Sequence, residues 1–145
     1  MLSLVPKDEP SLARDRARIN QVKLARAERA AAYFRANAAQ WDGIRSLHID
    51  EHEVERALQE ALRPDRMDDL LDIGTGTGRI LELFGPKIGS GVGVDLSREM
   101  LAIARANLEA RTLVNCQVRQ GDMYDLPWDD ARFDAVTVHQ VLHFA

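Results

Sequence analysis

The sequence predicts an α/β fold, a doubly wound parallel sheet preceded by long N-terminal helices. Three observations carry that reading. Leu70-Leu71-Asp72-Ile73 is an apolar run holding one acid. It is followed by Gly74-Thr75-Gly76-Thr77-Gly78-Arg79 and then by Ile80, Leu81, Leu83 and Phe84 at helical spacing. That order is a buried strand, a tight glycine loop and the first turn of a helix. Gly91-Val92-Gly93-Val94-Asp95 reads as a second short strand that also ends in an acid. Beyond it, helix-like and strand-like runs keep alternating, the pattern of parallel strands wound by right-handed crossovers.

The chain begins with a loose lead over residues 1–10, which hold two prolines and no periodicity. Ser11 follows Pro10 and is a candidate helix cap. From Leu12 to about Ala39 there is no Gly or Pro, and Ala, Arg, Leu and Gln dominate, so one long helix is expected, with a break near Asn37. Its charge is lopsided: Arg14, Arg16, Arg18, Lys23, Arg26, Arg29 and Arg35 stand against Asp15 and Glu28. Such a helix can be a solvated basic face, a nucleic-acid contact or a partner helix. The partial apolar stripe of Leu12, Ile19, Val22 and Leu24 favours the partner helix. Tyr33-Phe34 and Trp41-Asp42-Gly43-Ile44-Arg45 close this helix and turn the chain. Asp50 with Glu53 makes a capping box for a second helix over 51–62, whose Val54, Ala57, Leu58, Ala61 and Leu62 share a face and which Pro64 ends. The first strand follows from Asp69, then a helix over 77–84, a strand over 91–95 and a helix over 97–110 capped by Ser97. A strand over 114–119, a polar turn on Pro127, Trp128, Asp129 and Asp130, and a last strand over 132–138 complete the chain. Two regions are expected: an N-terminal helical linker or cap over 1–63, and a nucleotide-type binding unit over 64–145.

Bulk properties narrow the function classes. At 145 residues the chain can bury one real core. A net charge of −4 gives no whole-chain case for nucleic-acid binding. Cys116 is the single cysteine, so no internal disulfide forms and the cytoplasm is the default compartment. No apolar run approaches the roughly 20 residues that span a bilayer, and no signal-peptide core is present near the N-terminus.

The glycine spacing identifies the ligand class. The dinucleotide fingerprint G-x-G-x-x-G needs a third glycine at position 79 or 81, where Arg79 and Leu81 stand, which disfavours a nicotinamide-dinucleotide enzyme. The observed form, Asp72-x-Gly74-x-Gly76-x-Gly78, resembles the first motif of the class I S-adenosylmethionine-dependent methyltransferases, (D/E)-x-G-x-G-x-G. Asp95-x-Ser97-x-x-Met100, Gly121-Asp122 and Phe133-Asp134-x-Val136 match that family's later motifs in order, and the resemblance covers roughly residues 68–145. It implies a Rossmann-like sheet, S-adenosyl-L-methionine as cofactor, and methyl transfer to an unknown acceptor. The alternative is a cofactor-binding regulatory module without its own catalysis.

The implied cofactor-binding residues are Asp72, Gly74, Thr75, Gly76, Gly78, Asp95, Leu96, Asp122, Met123 and His139. Asp95 can accept both hydroxyls of a ribose, because an ionised carboxylate has two acceptor oxygens. Asp72 orients the cofactor's amino end or caps loop N–H groups. Asp122 meets the adenine amino group or serves as a turn aspartate. Leu96 and Met123 sandwich the adenine or pack in the core. Tyr33, Phe34 and Trp41 form a lid or plain core. His139 and His143 lie at the site mouth, as a general base or as structural residues. No catalytic residue is assigned, because alignment of a sulfonium with a nucleophile requires no dyad. His48 and His52, spaced like His139 and His143, lie on unconnected elements, so no metal is expected. Cys116 is expected in the core.

Two further expectations follow from the resemblance. The basic helix, the Ala31-x-Tyr33-Phe34 segment and Ala38-x-x-Trp41-Asp42-x-x-Arg45 look like the junction in bacterial proteins that fuse an ArsR-type winged-helix regulator to a methyltransferase. Nucleic acid would then be met only through a DNA-binding domain that these residues lack. The family sheet has seven strands ordered 3-2-1-4-5-7-6, and only four are found here. A truncated product with little or no activity is therefore expected. Its apolar fourth strand would stand as an edge, and a homodimer would cover that edge or the long helix.

Overall fold

The computed structural model describes residues 10–41, 43, 51–139 and 141. Helix α1 spans Pro10–Asn37, α2 Glu51–Leu62, α3 Arg79–Phe84 and α4 Arg98–Ala110. The strands are β1 Asp69–Ile73, β2 Ser90–Asp95, β3 Cys116–Gln120 and β4 Ala135–Val138. They form one sheet of order β3-β2-β1-β4, parallel throughout. This is the Rossmann-like architecture expected, with the central strand carrying the glycine loop.

The two sheet faces are covered differently. Leu70 and Val118 face α3 and α4 and join Met67, Ile80, Leu81, Phe84, Leu101, Ala104 and Leu108 in the main core. Leu71, Val92 and Val94 face the other way, under Leu126, Trp128 and Phe133. Trp128 meets Phe133 edge to face at 5.3 Å between ring centroids. At the sheet edge Val136 and Val138 are 49 % and 42 % exposed, so the outer part of β4 is the least covered apolar stretch of the sheet. Cys116 lies against the main core, where burial pushes its thiol up to about 11.

Several boundaries differ from the sequence reading, each for a local reason. Helix α1 starts at Pro10, a first-turn position where a missing N–H is harmless, so Ser11 lies inside the helix and does not cap it. Helix α3 starts at Arg79 and not at 77, because Gly78 is left-handed at φ 85°. Strand β3 starts at Cys116, after a turn in which Thr112 takes φ 56° and Val114 is 93 % exposed. Strand β4 starts at Ala135, because Asp134 is occupied otherwise: its Oδ2 accepts the Asp68 and Asp69 amides at 2.8 and 2.9 Å, clasping the entry to β1. Those two bonds hold the Asp134 carboxyl below the usual carboxylate range. Helix α2 has the expected bounds. Ser97 caps α4, accepting the Met100 amide at 3.2 Å. The lead 1–9, Asp42, Ile44, Arg45, His48, Asp50, His143 and the side chain of Phe34 lie outside the described residues.

Candidate functional site: the glycine loop between β1 and α3

The carboxyl ends of all four strands meet at one edge, with Ile73 registered on Val94 and Val138, and Asp95 on Gln120. In open parallel sheets this edge is where ligands bind. The loop between β1 and α3 is drawn onto β2 there. Gly74 and Thr75 both donate their amides to the Val94 carbonyl, at 2.8 and 3.0 Å. The Gly76 amide donates to Asp95 Oδ2 at 2.9 Å, and the Ser97 amide to Asp95 Oδ1 at the same distance. Asp95 thus ties the loop to the start of α4 while keeping lone pairs for a ligand. Burial pushes its carboxyl up, against the lowering effect of the Ser97, Gly76 and Leu96 amides.

The glycines are required by backbone shape and by space. Gly74, Gly76 and Gly78 all have positive φ, at 71°, 55° and 85°. A Cβ on Gly74 would lie 2.5 Å from a Val141 methyl, so the chain beyond β4 packs directly on the loop. The loop is held from below as well, by Asn107 of α4, which donates to the Thr77 carbonyl at 3.0 Å.

The remaining expected residues fall into two groups. Asp72 of β1 is 1 % exposed, and its Oδ1 accepts the Thr137 hydroxyl at 2.7 Å. Thr137 is its register partner on β4, so the two side chains leave the same face of the sheet. The Thr75 hydroxyl is also buried, with no hydrogen-bond partner among the described residues, and it packs where a Cβ on Gly93 would be. Leu96, Asp122, Met123 and His139 are nearer the surface. Leu96 is 47 % exposed at the end of β2, and Met123 and His139 are half-buried. Asp122 makes a turn, its Oδ1 accepting the Tyr124 amide at 3.0 Å. That turn is brought to the site because the Gly121 amide donates to the Asp95 carbonyl at 3.1 Å.

Three contributors escaped the sequence reading. Thr137 gave no signal, since a threonine in a strand is ordinary. Arg79 grips Glu55 of α2 through two bonds, Nε to Oε1 at 2.6 Å and Nη2 to Oε2 at 2.9 Å, and also meets Glu82 at 3.1 Å. The Glu55 pairing holds the Arg79 guanidinium even more firmly protonated than usual. Arg98 donates to the Gln120 side chain at 2.9 Å, whose amide donates to the Leu96 carbonyl at 3.1 Å, steadying the end of β2. No motif spacing announces pairs so far apart in the chain.

A parallel sheet of this order, a glycine loop on its first strand and a carboxylate on the end of its second define the class of S-adenosylmethionine-dependent methyltransferases. The residues fit that cofactor: Gly76, at positive φ and without a side chain, lets a ligand approach the loop backbone, beside an acid with spare acceptor capacity. The chain belongs to the family described as "Methyltransferase domain", whose profile matches residues 70–145. It is 43 % identical over 77 residues to 2-phytyl-1,4-beta-naphthoquinone methyltransferase of Arabidopsis thaliana, covering 49 % of this chain and 30 % of that one. To demethylmenaquinone methyltransferase of Porphyromonas gingivalis it is 34 % identical over 119 residues, 77 % of this chain and 48 % of the relative. Among solved structures it resembles the protein described as "the putative methyltransferase" in its complex with the Haloferax volcanii Trm112 methyltransferase activator. That match has a TM-score of 0.56 and 34 % identity, over 73 % of this chain and 45 % of the other. It also resembles CalS10, an amino pentose methyltransferase of Micromonospora echinaspora solved with S-adenosylmethionine bound, with a TM-score of 0.54 and 29 % identity, over 68 % and 40 %. The chain spans less than half the length of each of these proteins.

Proposed function

We propose that this chain binds S-adenosyl-L-methionine at the carboxyl ends of β1, β2 and β3 and serves methyl transfer to an acceptor. The observation that carries the reading is the Asp95 carboxylate bridging the Gly76 and Ser97 amides. In this reading Asp95 receives the ribose hydroxyls, and the Gly74–Gly78 loop lets backbone approach the amino-acid portion. Asp72 supports that loop from β1. Asp122 receives the adenine amino group, with Leu96 and Met123 on the ring faces and His139 at the mouth. The bound cofactor supplies a methyl group already activated on a sulfonium. The protein's task is to hold it, aim it and exclude water. The names of the relatives span a naphthoquinone and an amino pentose, which supports the reaction class for the shared part and leaves the acceptor open.

Isothermal titration with S-adenosylmethionine, S-adenosylhomocysteine and NAD tests the reading. Saturable heat with the first two and none with NAD is expected; binding of NAD alone overturns it.

Three finer statements belong to the same reading. Residues 1–63 act as a helical cap on the binding unit, supported by α1 and the turn after it resting on α4. The exposed Ile19, Val22 and Leu24 of α1 and the exposed Val136 and Val138 of β4 support a homodimer, which a monomer mass in light scattering at tens of micromolar would exclude. The order of the basic α1, the Tyr33-Phe34 segment and Trp41-Asp42 supports a regulator-fused gene product, which sequencing of the surrounding gene decides, and the single cysteine supports the cytoplasm; no described helix is long and apolar enough to cross a membrane.

A further inference from the structure

Trp41 stands over the glycine loop. A Cβ built on Gly76 would lie 3.8 Å from the indole Nε1, so the indole edge faces the loop across the space that the glycine leaves open. The amide of this same glycine donates to Asp95. One residue therefore joins the acid that ends β2 to an aromatic ring carried by the N-terminal segment, although the two are more than fifty positions apart.

The indole is held in that place. Tyr33 of α1 meets it edge to face, with ring centroids 6.3 Å apart. Ala38, in the turn just before Trp41, is 8 % exposed, and both α1 and that turn rest against α4. Helix α4 also carries the loop from below: Ala104 packs where a Cβ on Gly78 would come within 3.2 Å, and Asn107 holds the Thr77 carbonyl. A single helix thus supports both the glycine loop and the ring above it, which fixes the gap between them.

We propose that Trp41 is a ligand-contacting residue, its half-buried indole forming the outer wall of the S-adenosylmethionine site at Gly76. This deepens the cofactor reading above and rests on it. The chemistry suits the ligand. An indole offers a broad π face for the ligand's methionine chain and its cationic sulfonium. It also keeps water off the loop, where the ligand's polar bonds are stronger for its exclusion. The end of α1 and the turn after it then complete the binding site and do more than precede it.

The test compares wild type with Trp41→Phe and Trp41→Ala. Calorimetry with S-adenosylmethionine and S-adenosylhomocysteine is combined with thermal melts and with tryptophan emission during the titration. The alanine variant is expected to bind both ligands about three- to tenfold more weakly, the range of an aromatic contact. The phenylalanine variant keeps a ring, and its loss should be smaller. Wild-type emission should shift on titration with the calorimetric midpoint, and the shift should vanish in Trp41→Phe, leaving the unresponsive Trp128. Unaltered affinity in both variants, with emission that ignores the ligand, overturns the proposal while the cofactor reading stands. Tighter binding in the alanine variant also overturns it, since the indole would then be filling the ligand's own place. A wild-type chain that binds neither ligand overturns the cofactor reading and this inference together. If Trp41→Ala melts too low to titrate, the phenylalanine variant and the wild-type emission still decide.

Discussion

Thr137→Val asks how much the buried carboxylate of β1 depends on its neighbour. Asp72 is 1 % exposed and Thr137 5 %, and the hydroxyl donates to Asp72 Oδ1 at 2.7 Å. Valine has nearly the same shape, so no cavity opens; what is lost is the donor. A hydrogen bond onto a carboxylate is worth about 1.5–3 kcal/mol, and a buried acceptor that loses one donor keeps its desolvation cost. The valine methyl would also sit where the hydroxyl oxygen approached the carboxylate, closer than carbon and oxygen tolerate. A loss of about 2–3 kcal/mol is expected. With a urea slope of 1–3 kcal/mol per molar, this moves the unfolding midpoint down by about 1 M. Thr137→Ser separates donor from bulk: it keeps the hydroxyl and removes one methyl, for about 0.8 kcal/mol. Urea unfolding followed by circular dichroism gives both values. A valine variant within about 0.5 kcal/mol of wild type would refute the reasoning, because surface changes alone stay inside that range. So would a serine variant that falls as far as valine, since the effect would then be packing and not the hydrogen bond.

Asp95→Ala should weaken S-adenosylmethionine binding by about 1.5–3 kcal/mol in calorimetry, the value of a charged hydrogen bond; unchanged affinity removes Asp95 from the site. Glu55→Gln cuts the two-bond grip on Arg79, whose side chain is 31 % exposed against 15 % for Glu55. Solvent screening limits the stability loss to about 1 kcal/mol, but hydrogen exchange should accelerate in α2 ahead of the sheet, and uniform protection would contradict a clamp at this point. Asp134 is held below the ordinary carboxylate range by the Asp68 and Asp69 amides, so its contribution to stability is present above that range and lost as pH falls through it. Asp134→Asn should therefore flatten the acid limb of the stability profile measured between pH 6 and pH 3, a window set by ordinary carboxylate values; coinciding limbs would show that Asp134 contributes nothing there.

Much of the molecule was legible in the chain because the signals are local. An apolar strand must end where glycines at alternate positions begin, and only glycine takes the positive φ found at 74, 76 and 78 without strain. The alternation of strand and helix points to a parallel sheet with right-handed crossovers, and the 3-2-1-4 order that the family resemblance implies is the one observed. Helix α2 and the Ser97 cap were likewise readable, since capping and periodicity concern residues within a few positions of each other.

Contacts between distant residues were not legible, and they are what make the loop a site. The sequence places Asp72 and Asp95 at strand ends. Only the register of β1 on β4 puts Thr137 beside Asp72, and only the pull of the loop onto β2 brings the Gly76 amide to Asp95. Asp134 looked like part of a strand motif. The tertiary structure makes it the clasp on the entry to β1, because two amides there need an acceptor that no strand pairing supplies. Arg79 next to a glycine loop suggests a ligand contact by position alone, yet its guanidinium turns to Glu55 and ties α2 to α3. Trp41 shows the same division. Its type and place near a helix end were plain in the sequence, while the helix packing that sets it over Gly76 is decided only when α1 and α4 come together.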